Sequence, residues 1–211
     1  MDAARDPYHV LPRPIEEHPL EAYALAFQAL AGAGIRHAVG GGLAVAYYAR
    51  PRPTKDLDIF IRPCDTEETL NTMARAGFTA LDMDANWLRK AKWRDVEIDI
   101  IVRSAGPITL TDHELDRVVH GVHEGVSMAL FAVEDLLVRK IYAMRDDGVD
   151  WQDALAILER QGATVQWRRL DREDLDPRPL AAFLLVASLR LNGALPPGLV
   201  AHHLSRVSAR L

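Results

Sequence analysis

The sequence predicts an α+β protein, a mixed β-sheet flanked by helices and followed by a helical C-terminal region. Three observations point there. Apolar residues recur at helical spacing near the start and through the last third of the chain, residues 57–61 and 96–102 alternate apolar and acidic side chains, and glycine or proline clusters punctuate the intervals. With 211 residues, 49% of them hydrophobic, the chain has material for one good core. The expected layout is a sheet-based unit over 1–130 and a helical region over 131–211 packed beside its cleft.

Pro7, Pro12 and Pro14 make the first dozen residues an irregular arm. From Pro19, the residues Leu20, Tyr23, Ala24, Phe27, Leu30 and Ala31 fall on one helical stripe, which Gly32 and Gly34 end. Residues 35–39 read as a short strand entering the Gly40-Gly41-Gly42 turn, and 43–48 as a brief helix stopped by Pro51 and Pro53. The chain therefore enters 57–61 extended. Asp65 with Glu68 three residues on predicts a capping box, opening a helix that runs to Gly77. Residues 86–92 and 96–102 read as a hairpin around Arg94-Asp95, with a short helix near 114–119 and a strand near 126–130 after it. Helices are expected over 133–144, 151–160 and 180–191, and a last one, after Gly193, Pro196 and Pro197, ends near Leu211. The polar stretch 166–178 reads as a flexible connection.

A net charge of -5 excludes a global electrostatic attraction for nucleic acid and leaves room only for a local basic patch. The single cysteine, Cys64, cannot form an internal disulfide. The first residues lack the basic-then-apolar order of a signal peptide, and no apolar run approaches a membrane span, so a cytoplasmic protein is expected.

The chemistry concentrates around Asp56 and Asp58. Side chains two apart on a strand share a face, so both carboxylates project together while Leu57 and Ile59 face the core. Glu97 and Asp99 repeat that pattern among Val96, Ile98 and Ile100, which makes Asp99 the best candidate for a third carboxylate and Glu97 the second. Upstream, Gly40 and Gly41 remove side chains from a turn, so backbone N–H groups there could approach phosphate oxygens. Magnesium takes a few carboxylates and fills its octahedron with water and phosphate oxygens. Phosphates and a metal together suggest a nucleotide. Nucleotidyl transfer needs an in-line attacking oxygen, a pyrophosphate leaving group and metal ions between them.

The series Val39-Gly40-Gly41-Gly42-Leu43-Ala44, then Arg50, Arg52, Thr54, Asp56, Leu57, Asp58 and Ile59, resembles the signature of the polymerase-beta nucleotidyltransferase superfamily, in its small bacterial branch that includes AbiEii-type toxins. Residues 134–140 and Asp150-Trp151-Gln152-Asp153 are similar to that branch's Glu-x-Leu-x-x-x-Lys segment and later Asp-x-x-Asp helix. The resemblance covers residues 36–155. It implies a nucleotidyltransferase-type sheet and a Mg2+-dependent enzyme, with Mn2+ able to replace the metal. Asp56, Asp58 and Asp99 would be the metal ligands, Gly40, Gly41, Arg52 and Thr54 would contact nucleotide, and Lys140 would contact phosphates, positioned by Asp150 or Asp153. Partners implied are a nucleoside triphosphate such as ATP, an acceptor that includes RNA among its candidates, and an antitoxin protein if the chain is a toxin. One departure is Leu43, where the branch often carries a Ser or Thr hydroxyl.

Each feature has a plainer reading. Asp-x-Asp recurs in solvated strand ends, and a triple glycine serves many strand-to-helix turns. Lys140 reads almost as well as a snorkelling lysine, and Asp150 and Asp153 as an N-cap and a first-turn acid. His113, His120 and His123 have no cysteine beside them and read as surface or packing residues, while His202 and His203, being adjacent, are not expected on one helical side. Arg168, Arg169, Arg172 and Arg178 interleave with Asp171, Glu173, Asp174 and Asp176, a self-compensated segment rather than an RNA patch. Two other functions fit parts of the pattern: a catalytically inactive module that binds nucleotide or protein, and a glycosyltransferase using Asp-x-Asp for a nucleotide-sugar.

Overall fold

Alternation builds the sheet. In β2 (Leu57–Phe60) Leu57 and Ile59 are fully buried, and in β5 (Val96–Ile101) Val96, Ile98 and Ile100 are buried, so one face of each strand joins the core. The computed structural model describes residues 17–50, 54, 56–81, 86–104, 107–143, 149–191 and 195–210. In it β2 and β5 run parallel, with Leu57 beside Ile98 and Asp58 beside Asp99. The predicted hairpin forms as β4 (Leu88–Trp93) and β5, turning at Arg94, whose positive φ of 53° suits a tight turn. β3 (Thr79–Leu81) adds antiparallel to β4 at one edge.

On the other side of β2 lies β1 (Ala38–Val39), antiparallel to it and parallel to β9 (Val126–Leu130), and β8 (Val119–His123) closes the sheet. The order across these seven strands is β3-β4-β5-β2-β1-β9-β8. A separate pair, β6 (Arg103–Ser104) and β7 (Ile108–Thr109), follows β5. The expected strand over 35–39 shrinks to two residues. β3, β6 and β7 are only two or three residues long, and in β8 the valines stand three apart and break the alternation, so the sequence pattern marks none of these four as a strand.

Helices cover the sheet. α1 (Glu17–Gly32) buries Ala22, Tyr23, Ala26 and Leu30 at helical spacing, and each large side chain so buried contributes about 1.5–3 kcal/mol. α2 (Gly41–Tyr48) follows the glycine turn directly. α3 (Thr66–Arg75) starts as expected, but without the predicted box: Asp65 makes no side-chain cap bond and pairs with Arg62 Nε at 2.7 Å instead. A complete capping box appears at α4 (Asp112–Leu115), between Thr111 and Glu114. After β9 the chain is helical, with α5 (Val133–Tyr142), α6 (Val149–Gln161), α7 (Pro177–Arg190) and α8 (Leu199–Ser208). The apolar core is continuous from α1 and the sheet into α5, α6 and α7.

Residues 166–178 correct the expected flexible connection. They contain a 3-10 turn (Trp167–Leu170), and Leu170 and Leu175 are buried in the core. Their charges do compensate locally, through Arg172 with Asp174 and Arg178 with Asp176. Among the described residues no helix is long and apolar enough to cross a membrane. The N-terminal arm and Arg52 lie outside the described residues.

Candidate functional site

Parallel pairing of β2 with β5 sets Asp58 and Asp99 side by side on the sheet face opposite Leu57, Ile59, Ile98 and Ile100. Two neighbouring carboxylates repel unless a cation is shared. One cation is built in: Lys90, opposite Asp99 across the hairpin, bonds it at 2.8 Å and reaches Glu97 at 3.5 Å. The bond to Asp99 raises the Lys90 pKa against the opposing effect of its partial burial. Asp56 is exposed just ahead of β2, where its backbone N–H donates to Thr54 Oγ1 at 3.4 Å and its carbonyl accepts from that hydroxyl at 3.2 Å.

The glycine turn lies against these acids. Gly41 has a left-handed backbone, φ +54°, and a Cβ on it would fall inside the Asp58 carboxylate, so only glycine lets the acid rest there. Gly40 donates its N–H to the Asp58 carbonyl at 3.0 Å, and a Cβ there would come within 2.5 Å of the Phe60 ring. Gly40 thus spends its donor on the sheet. The N–H groups that lack intrahelical partners belong to the first turn of α2, beginning with Gly41.

Tyr23 reaches this region from α1. It is 1% exposed, and its hydroxyl is pushed up to about 12 by burial first and then by the negative charges of Asp56 and Asp58. Lys140 on α5 is held by two carboxylates of α6, Asp150 at 2.7 Å and Asp153 at 3.0 Å. Burial alone would lower its pKa, but the two acids outweigh that and hold it raised. Helices α5 and α6 pack on α2, and Gln161 Nε2 donates to the Tyr48 carbonyl at 2.9 Å.

The structure therefore gathers Asp58, Asp99, Gly40 and Gly41, with Asp56 and Thr54 at the strand entrance and Lys140 in its own acidic clasp. A set of carboxylate oxygens beside a side-chain-free turn is the donor chemistry that Mg2+ takes. Two contributors escaped the sequence reading. Lys90 was legible from the hairpin, because a turn at 94–95 pairs 90 with 99; Tyr23 carried no signal beyond its place in a core stripe.

No curated protein matches the chain. Among solved structures, an antigenic nucleotidyltransferase-like protein from Paracoccidioides brasiliensis is similar with a TM-score of 0.57 at 19% identity, covering 90% of this chain and 100% of that one. The antibiotic-resistance factor ANT(2'')-Ia is similar with a TM-score of 0.52 at 14% identity, covering 93% and 96%. At such identities the likeness is one of fold. The sequence carries the relationship further, for residues 19–181 match the family described as "Nucleotidyl transferase of unknown function (DUF2204)", and the chain belongs to that family.

Proposed function

We propose that the protein transfers a nucleoside monophosphate from a nucleoside triphosphate to an acceptor hydroxyl. The acceptor oxygen forms a bond to the α-phosphorus, the bond from that phosphorus to the bridging oxygen of the β-phosphate breaks, and pyrophosphate leaves. A divalent ion such as Mg2+, held by Asp56, Asp58 and Asp99, would neutralise charge on the attacking and departing oxygens. Asp99 takes the acceptor's proton. The first turn of α2 offers N–H groups to phosphate oxygens, with Gly41 keeping the approach open. Lys140 would reach a phosphate only by exchanging Asp150 or Asp153 for it, and Arg52 and Thr54 stand on the segment leading into the acids. The observation that carries this reading is the Asp58–Asp99 pairing with Gly41 seated on the Asp58 carboxylate.

The test is incubation of cell extract with each of four α-labelled nucleoside triphosphates. Label should enter RNA, protein or a small molecule, which names the acceptor class, and Asp58→Asn should reduce incorporation by at least about 100-fold. Equal incorporation by wild type and Asp58→Asn, or none from any triphosphate, would remove the proposal. A toxin role with an antitoxin partner is the narrower form of the same proposal, favoured if expression halts growth and Asp58→Asn does not.

The Lys90–Asp99 bond favours one second reading, a module that binds nucleotide without turnover because an internal ammonium occupies the third acid. Calorimetry separates the two. Nucleotide binding without transfer, converted to metal-dependent transfer by Lys90→Gln, would assign this second reading.

A further inference from the structure

The adjacent histidines of α8 are brought together after all. Consecutive helical residues diverge by about 100°, so adjacency alone sends His202 and His203 to different sides. Asp171, from the 166–178 segment, joins them. A ring nitrogen of each histidine and a carboxylate oxygen of Asp171 fall within 4.8 Å of one another, and His202 Nε2 is 3.2 Å from Asp171 Oδ2. The two rings stand edge to face with centroids 5.0 Å apart.

His203 is the telling member. It is 1% exposed, and its Nδ1 is a buried polar atom with no hydrogen-bond partner among the described residues. With no partner in the protein to offset its burial, this nitrogen is open to a ligand. His202 is 56% exposed and also lines a cavity of about 660 Å³ with Trp167, Arg168, Pro197 and Leu199, which gives an ion a route in from solvent.

We propose that Asp171, His202 and His203 bind a divalent transition-metal ion of the zinc class. Two imidazoles and one carboxylate suit Zn2+ rather than Mg2+, which takes oxygen ligands. Tetrahedral zinc with bonds of about 2.0–2.1 Å spaces its ligands about 3.3 Å apart, close to the separation between His202 and Asp171. Arg206, one turn further along α8, contacts the other Asp171 oxygen, as outer-shell donors do for ligating carboxylates. The ion would tie α8 to the segment that joins α6 to α7, a place remote in sequence from the acids of β2 and β5.

The test uses the full chain without a purification tag, carrying Asp58→Asn so that the acidic site is silenced. Zn2+ is titrated in competition with a chelating dye, and Co2+ is followed by its visible absorption. One equivalent of Zn2+ should bind, Co2+ should give the spectrum of a four-coordinate nitrogen–oxygen site, and His202→Ala and His203→Ala should each weaken binding by at least about tenfold. His202 is exposed enough that its loss leaves the fold intact, so that variant keeps the question answerable if His203→Ala fails to fold. Absence of stoichiometric Zn2+ binding, or binding untouched by His202→Ala, would overturn the assignment.

Discussion

Gly41 has no room for a methyl group. Its left-handed backbone and its contact with Asp58 mean that Gly41→Ala must both strain the chain and push the carboxylate aside. The strain should cost at least about 1 kcal/mol, and displacement of the acid should lower transfer by about 100-fold. Gly125→Ala is the control, since that residue shares the left-handed backbone at φ +84° with open space around it. It should lose stability, read from a urea midpoint, and keep its transfer rate. Equal effects on rate would mean that the Gly41 contact is no more than packing. The same residue-scale argument applies to Lys90: it is where the hairpin register must put it, so its charge is as much a property of the site as the acids are.

A buried ionic network ties α4, α5 and the segment after α6 together. Arg139 of α5 bonds Glu114 of α4 at 2.7 Å, both only 4% exposed, and its guanidinium lies 4.0 Å over the Phe131 ring and 5.4 Å from that of Phe60. Burial pushes the Glu114 carboxyl up, but Arg139 and the Thr111 cap outweigh it and hold the group below the usual carboxylate range. Arg172, from the segment after α6, reaches the same carboxylate at 3.4 Å. Glu114→Ala should therefore destabilise by about 3–5 kcal/mol, because it leaves Arg139 buried without its acid. Glu114→Ala with Arg139→Met should recover part of the loss in denaturant unfolding. Phe60 follows Asp58 by two residues on the same strand face, so this network also fixes what stands beside the acidic site.

At the scale of the whole molecule, stability should fall in mild acid. His37, just ahead of β1, stacks on Phe27 of α1 with ring centroids 5.6 Å apart. Burial lowers its pKa, the Ile35 carbonyl opposes this, and the charge of His120 on β8 adds to the lowering. A histidine whose folded pKa lies below its unfolded value binds protons better when unfolded. Its contribution is thus fully present above about pH 6.5 and is lost as pH falls through the folded pKa. Urea midpoints measured from pH 7.5 down to pH 5 should decline, and His37→Gln should flatten that decline. An unchanged slope in the variant would assign the acid sensitivity elsewhere.

Local rules made a good part of this molecule legible in its sequence. Alternation in 57–60 and 96–101 fixed which side chains face the core, the spacing on α1 marked its buried stripe, and the turn at Arg94-Asp95 set the hairpin, because each depends on neighbours a few residues away. Pairing between distant segments was decided only in three dimensions. The parallel register that sets Asp58 beside Asp99, the approach of Gly41 to Asp58, the reach of Tyr23 and the joining of Asp171 to His202 and His203 all depend on packing across the chain. The failed cap at Asp65 shows the same boundary from the other side. Its carboxylate met both rules of a helix start, yet Arg62 took it, since a charged partner outcompetes a backbone N–H.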